Sequence, residues 1–419
     1  MTLLRFGICA LVVFAVAAHG GVEDWARAVL ETGAGLLFLA WALWIYFTHQ
    51  EQIVFSPLVP PLAALLLIVC GQLFFHGTAS SYGTRIELLL LVSDLILLFL
   101  AVQAFRTLQD WRGFVWFGMV FGFFISIFGI LQQLTFNGKL YWFREMHYGG
   151  IPFGPYANRN HFAGFAELVL SLALVPLVLG RVRRERWPVV SLFVVVGIGA
   201  LFLSASRGGI VSFGVELAVL ALAMILRRTI GKQLLAGAVV LVLAVVMVSW
   251  LGVGQVLQRF SSFQTLEATA GKRASMRRDT WQVFLNHSLT GTGLGTLQIV
   301  YPPYESLYDG KIVNHAHNDY LEALAETGVL GGLCCAWFLA VLFGESLRRV
   351  RQLSDSFAGT LQLSGLVACT GFLVHSLVDF NLHIPSNALL FFLMAHLATA
   401  QIQLVASPSA PCGSRAGNH

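Results

Sequence analysis

The segment Val313-Asn314-His315-Ala316-His317-Asn318-Asp319-Tyr320-Leu321-Glu322 sets two imidazoles two residues apart, just ahead of an apolar run. The ordinary histidine pKa lies near neutrality, so such a ring can take a hydroxyl proton in a transition state. The pair is also half of a metal site. No third-ligand motif accompanies it, and the six cysteines form no Cys-x-x-Cys motif, so no metal and no disulfide framework is expected. In Ser204-Ala205-Ser206-Arg207-Gly208-Gly209 a guanidinium precedes two glycines. A guanidinium grips phosphate through paired N–H bonds and keeps its charge, and glycines let the backbone turn tightly or approach a ligand. An arginine snorkelling to lipid headgroups would leave the same pattern.

Three further groups follow the same logic. Arg273-Ala274-Ser275-Met276-Arg277-Arg278-Asp279-Thr280-Trp281 is strongly basic, and Arg277 and Trp281 would share one helix face. The glycine run Gly291-Thr292-Gly293-Leu294-Gly295 behind it follows no strand–helix pattern, so it reads as a tight loop and not as a nucleotide cradle. Asn158, Arg159 and Asn160 stand beside a Gly154-Pro155 turn. Their amides and guanidinium suit a polyhydroxyl ligand, and Asn160 could equally cap a helix. His375 and Asp379 are spaced to share a helix face, followed by Phe380, Asn381 and His383. They fit a functional pair or a structural ion pair. Glu167 and Glu216 are carboxylates inside apolar runs, with no role legible from sequence.

The elements that must position these groups are membrane spans. Of 419 residues, 57% are hydrophobic and 11% charged, and mean hydropathy is +0.75. Soluble domains are far more charged, so a soluble enzyme, a disordered chain and a coiled coil are excluded. The expected fold is all-α and polytopic, with about 12 transmembrane helices of roughly 20 residues each. The apolar runs lie near 3–19, 28–48, 55–76, 86–105, 113–133, 161–180, 188–204, 209–226, 233–251, 320–344, 357–378 and 386–405. The first reads as a retained anchor in preference to a cleaved signal peptide. The chain then divides into five spans over 1–133, a loop over 134–160, four spans over 161–251, a large loop over 252–318, three spans over 319–405 and a tail over 406–419.

Basic clusters order the topology. Arg106 and Arg112, then Arg181, Arg183, Arg184 and Arg186, then Arg227, Arg228 and Lys232, then Arg348, Arg349 and Arg351 all fall on one side of a twelve-span chain. The positive-inside rule makes that side, and both termini, cytoplasmic. The same clustering argues against nucleic acid as the reason for the net charge of +5. The two long loops and all five chemical groups then share the outer face, which implies one extracytoplasmic site.

Over roughly 150–400 the chain resembles the O-antigen ligase and polymerase superfamily of bacterial surface-polysaccharide enzymes. The resemblance rests on Ser206-Arg207-Gly208-Gly209, Arg277 with Trp281, the Gly291–Gly295 run, and His317-Asn318-Asp319-Tyr320-Leu321 with Glu326 and Gly328. Asn158-Arg159-Asn160-His161-Phe162 and His375-Ser376-Leu377-Val378-Asp379-Phe380 resemble motifs of one branch. The resemblance implies a C-type glycosyltransferase-like fold in the bacterial inner membrane, with a large periplasmic loop and the active site facing the periplasm. It implies a glycan donor on undecaprenyl pyrophosphate and an acceptor that is lipid A–core in ligases or another lipid-linked glycan in polymerases. It implies catalytic roles for Arg207, Arg277 and His317. Substrate-binding roles are then expected for Asn158, Arg159, Asn160, Arg273, Arg278, His315, Asn318, His375 and Asp379. No cofactor, metal or nucleic acid is expected, and transfer would be inverting and metal-independent. A polymerase is the near alternative to a ligase. A transporter or lipid flippase is the more distant one, with Glu167 and Glu216 in its favour.

Overall fold

A computed structural model describes residues 1–49, 52–145, 151–227, 242, 246, 249, 263–353 and 356–403, with backbone alone for 263–270. Among these residues there is no strand, only isolated bridges, and the chain is built of helices. They are α1 (Thr2–Ala17), α2 (Asp24–Thr48), α3 (Val59–Phe74), α4 (Ser81–Ala104), α5 (Leu108–Leu134), α6 (Arg159–Val178), α7 (Trp187–Leu203), α8 (Arg207–Leu226), α9 (Phe263–Asn286), α10 (Asp319–Gln352), α11 (Phe357–His375) and α12 (Pro385–Thr399). Eight helical segments, those of α2, α4, α5, α6, α7, α8, α10 and α11, are long and apolar enough to cross a membrane. The helices α1, α3 and α12 are apolar and shorter. The expected span over 233–251 lies outside the described residues apart from 242, 246 and 249, as do Arg228, Lys232 and the tail over 406–419.

Side-chain caps start several helices where the sequence supplies them. Ser80, Asn158, Ser206, Asn318 and Ser356 each accept an amide of the first turn, and Thr107 with Asp110 closes a capping box. The core is formed by α6, α11 and α12. Every residue of α6 from His161 to Val178 is buried, and α12 is buried throughout. The outer helices keep apolar faces exposed, such as Leu36, Leu39, Leu43 and Phe47 on α2, as a lipid solvent allows. Small residues let helices approach closely. A Cβ on Gly118 or Gly122 of α5 would meet Leu172 or Val169 of α6 at 2.6 or 2.8 Å.

The two ends of the bundle are built differently. At one end Gln403 exchanges backbone hydrogen bonds with Arg106 and Leu108, Arg112 lies over the Phe357 ring, and Arg186 lies over Trp116. The starts of α6, α8, α10 and α12 and the finish of α11 gather at the other end. The chain over 263–318 covers that end as a small cap. Met276, Val283 and Phe284 of α9 pack with Leu297, Tyr301, Val313, Ala316 and Ala325 in a second apolar core. The buried positions Met276, Asp279, Thr280, Val283 and Phe284 recur at helical spacing, which is why this charged segment is a helix and which face it buries.

The glycine run after α9 is a clamp. Gly291, Gly293 and Gly295 have φ of +72°, +106° and +73°. Their amides and those around them are taken up by protein. Gly295 N and Leu297 N donate to the Glu326 carboxylate at 2.8 and 2.9 Å, and Gly293 N donates to the Glu326 carbonyl at 2.9 Å. Leu294 N donates to Gln72, whose amide in turn donates to the carbonyls of Thr290 and Glu326. The expectation of a tight loop holds, and Glu326 is the group that closes it. Gly328, at φ +65° and ψ −168°, breaks α10 at that point, so Asp319–Thr327 is a separate turn of helix lying under the cap.

Candidate functional site

Asp379 is fully buried at the loop after α11 and is the centre of the site. Asn160 Nδ2 donates to its Oδ2 at 2.5 Å, His317 Nδ1 lies 3.2 Å from Oδ1, and the Phe380 amide donates to Oδ1 at 3.0 Å. Arg273 Nη2 lies 3.8 Å from Oδ2, and Arg273 Nη1 donates to the Val378 carbonyl at 3.0 Å. Burial alone would raise this carboxyl. The His317 hydrogen bond and the charges of His161, His317 and Arg273 outweigh it and hold Asp379 well below the usual carboxylate range.

His317 is half-buried and has φ +50°, a left-handed conformation that a side chain adopts at a cost. Its neighbours hold it there. Asn318 caps α10 through Leu321 N at 3.0 Å and donates to the Leu377 carbonyl at 3.1 Å. Asp319 N donates to the Ser376 carbonyl at 2.9 Å. The arginine turn is strained alike, with Ala205 at φ +51° and Ser206 capping α8 through Gly209 N. Arg207 is half-buried at the first residue of α8, and a Cβ on its neighbour Gly208 would meet Val378 at 3.0 Å. Val378 is thus the common landmark of the Arg207 turn and Arg273.

Beside this centre lies a second network. His315 Nδ1 is 2.7 Å from Glu322 Oε1, whose other oxygen accepts the Ala316 amide at 2.8 Å. His383 Nδ1 is 2.9 Å from Asp319, and its Nε2 is 3.4 Å from Glu322. Burial would lower the His383 pKa. The Glu322 charge and the bond to Asp319 reverse this and raise it to about 10. Phe380 joins the two networks, with His315 stacked on it at 4.2 Å and His317 and His161 at 4.9 and 4.8 Å. His315, Glu322 and His383 place three donor atoms within 4.8 Å of one another, a His–Glu–His set able to hold a divalent ion. Glu322 and His383 are the donors that the sequence reading lacked beside His315. Here His315 is hydrogen-bonded to Glu322, and His383 is hydrogen-bonded to Asp319 with its other nitrogen facing Glu322.

The other expected residues fall as follows. Asn160 does not cap α6. Asn158 does, accepting Asn160 N at 2.9 Å, which frees the Asn160 side chain for Asp379. Arg159 is half-buried in the first turn of α6. Arg277 is half-buried one turn beyond Arg273 on the same face of α9, Arg278 is exposed, and Trp281 is exposed. Of the three arginines on α9, Arg273 is the one in contact with Asp379. His375 and Asp379 do not pair with each other. The helix ends at His375, so Asp379 turns away toward His317, while His375 Nδ1 faces Glu167 Oε1 at 2.9 Å. Asp319, Glu322, Phe380 and His383 stood in the candidate segments without a catalytic or binding role. For Asp319 and Glu322 the available signal was their place just behind the Asn318 cap, and for Phe380 and His383 their place just behind Asp379.

A multi-pass helical membrane protein with a charged site at one end of its bundle is the class that this fold defines. Residues 192–336 match the family model described as O-antigen ligase. The match bears out the resemblance to the O-antigen ligase and polymerase superfamily and supports a ligase- or polymerase-type membrane enzyme. The matched segment includes Arg207, Arg273, Arg277 and His317 and leaves out Asn160 and Asp379. No curated protein matches the chain.

Proposed function

We propose that the protein transfers a glycan from undecaprenyl pyrophosphate to an acceptor hydroxyl at the periplasmic face of the bacterial inner membrane, as an O-antigen ligase acting on lipid A–core. The observation that carries this reading is the convergence on Val378–Asp379 of Arg273, His317, Asn160 and the Gly208 that follows Arg207.

In the proposed reaction His317 Nε2 takes the acceptor proton as the acceptor oxygen bonds to the anomeric carbon. The bond from that carbon to the phosphate oxygen breaks, and its electron pair leaves with the pyrophosphate. One displacement inverts the configuration. Asp379, on His317 Nδ1, orients the ring and stabilises the imidazolium, as a buried carboxylate does for a catalytic histidine. Arg207 and Arg277, with Arg273 between Asp379 and solvent, neutralise the leaving pyrophosphate where water is scarce and such contacts are strongest. Asn158, Arg159, Asn160, Arg278, His315 and Asn318 line the approach of the sugar chains, and the lipid tail lies among membrane lipids between helices.

The test is transfer by purified protein given lipid-linked donor and defined acceptors. Arg207→Ala, Arg277→Ala and His317→Ala should each remove most activity with expression near normal. Retained activity in both arginine variants would end the pyrophosphate role. EDTA should leave transfer unchanged, and a loss restored by a divalent ion would move attention to His315, Glu322 and His383. The polymerase reading has in its favour the resemblance of Asn158-Arg159-Asn160 to exopolysaccharide polymerases of one branch of the superfamily. A deletion strain separates the two: a ligase mutant accumulates long lipid-linked chains, a polymerase mutant single repeats.

A further inference from the structure

Three ionisable side chains lie fully buried below the arginine turn, and the proposed chemistry uses none of them. They are Glu167 on α6, Glu216 on α8 and His375 on α11. Burying such groups among membrane helices is costly, and apolar residues of the same size would pack there more cheaply. Opposite charge offsets part of the cost for one pair, since His375 Nδ1 lies 2.9 Å from Glu167 Oε1. The pair links α6 to α11 at the level where α8 begins.

The first turn of α8 rests on that pair. A Cβ at Gly208 would come within 2.7 Å of His375 Nε2, and one at Gly209 within 3.3 Å of Glu167 Oε1 and 2.5 Å of Ala163 Cβ. Contacts of 2.5–2.7 Å are closer than a real Cβ tolerates. The two glycines after Arg207 therefore let the helix backbone sit on an imidazole and a carboxylate with nothing between. Above the pair, Ala205 at φ +51° and the Ser206 cap fix the direction in which the chain enters the helix. Two turns further along α8, Glu216 packs against Gly371, one turn from His375 on α11, which keeps α8 and α11 close along the same line. The α8 stripe Gly208, Ser212, Glu216 and the α11 stripe His375, Gly371 thus run together into the bundle.

We infer that Glu167 and His375 are positioning residues for Arg207: they form a buried seat that holds the start of α8, and hence the guanidinium, at the place where the leaving pyrophosphate develops charge. This rests on the role of Arg207 proposed above. It gives Glu167 a task within transfer and has His375 act through the helix start, since its side chain is enclosed and does not reach substrate. A group that must meet a phosphate within about half an ångström needs such support, because a loosely held guanidinium loses affinity without any change in its own chemistry.

The test is a double-mutant cycle on the full chain in detergent or nanodiscs, with farnesyl pyrophosphate as the probe of the leaving-group site. Arg207→Ala should weaken binding strongly. Glu167→Gln and Gly208→Ala should each weaken it about tenfold in the otherwise native protein, and no more than about twofold further in the Arg207→Ala background, because coupled residues lose the same interaction once. Gly208→Ala leaves both buried groups in place and presses on His375, so it keeps the test open if Glu167→Gln does not fold. Losses that add fully in the double variants, or native affinity in Gly208→Ala, would overturn the seat while leaving the arginine's own role intact. Unchanged binding in Arg207→Ala alone would take down the pyrophosphate reading and the seat with it.

Discussion

At Asp379 the cost of burying a carboxylate is met by partners from three directions: Asn160 from α6, His317 from the strap before α10, and Arg273 from α9. Each of these is itself held by another element, so the carboxylate reports the placement of the whole site. Asp379→Asn should therefore lower kcat by about 10²–10⁴ with a much smaller change in KM, as when a histidine loses its orienting carboxylate; steady-state transfer kinetics would show it. Arg273 touches Asp379 and Arg277 does not, so their alanine variants should differ. Arg273→Ala should depress kcat with a smaller change in KM. Arg277→Ala should remove most transfer and also weaken binding of a prenyl pyrophosphate. The His383 network yields a stability prediction. The folded pKa of about 10 lies above the unfolded value of about 6.5. Its stabilisation is then complete below pH 6.5 and is lost as pH rises through about 10. Thermal midpoints measured from pH 6 to 10.5 should fall over that window, and His383→Gln should flatten the decline.

Among the elements, the glycine clamp and α9 decide where the arginines stand. The clamp pins the end of α9 to the kink of α10 through Glu326 and Gln72, while the apolar stripe of α9 fixes its rotation. A Cβ on Gly293 would collide with Thr78, and its φ of +106° is one that side chains rarely adopt. Gly293→Ala should cost on the order of 1–3 kcal/mol locally. Hydrogen exchange should then rise over 287–300 and transfer should fall, although the glycine touches no substrate. Unchanged exchange with reduced transfer would mean that this loop meets substrate directly.

At the scale of the molecule, the two ends of the bundle carry different elements. Arg106, Arg112 and Arg186 mark one end, and the cap over 263–318 and the Asp379 site occupy the other. By the positive-inside rule we propose that the site faces outward. In a cysteine-free background, Lys311→Cys should react with a membrane-impermeant maleimide in intact spheroplasts. Arg183→Cys should react only after permeabilisation. The reverse labelling would turn the site toward the cytosol and remove the lipid-linked donor from its reach.

The amino-acid sequence alone determined the membrane class, the starts of eleven described apolar helices to within about five residues, and the arginine and histidine segments, while the helix from Asp319 runs on to Gln352 past the expected 344 and the last ends at Thr399 before the expected 405. Hydropathy and glycine or asparagine punctuation are local signals that survive without knowledge of the fold. It could not decide partners. Asn160 reads as a cap until Asn158 is seen to do that work, and His375 with Asp379 reads as a pair until the helix stops between them. Glu167 had no legible role because its partners stand on α11 and at the start of α8, far along the chain. Which arginine of α9 reaches Asp379 depended on helix rotation, and that is set by a buried apolar stripe whose counterparts are Leu297, Tyr301, Val313, Ala316 and Ala325. Pairings across the bundle follow from how helices pack, and only the tertiary structure contains that information.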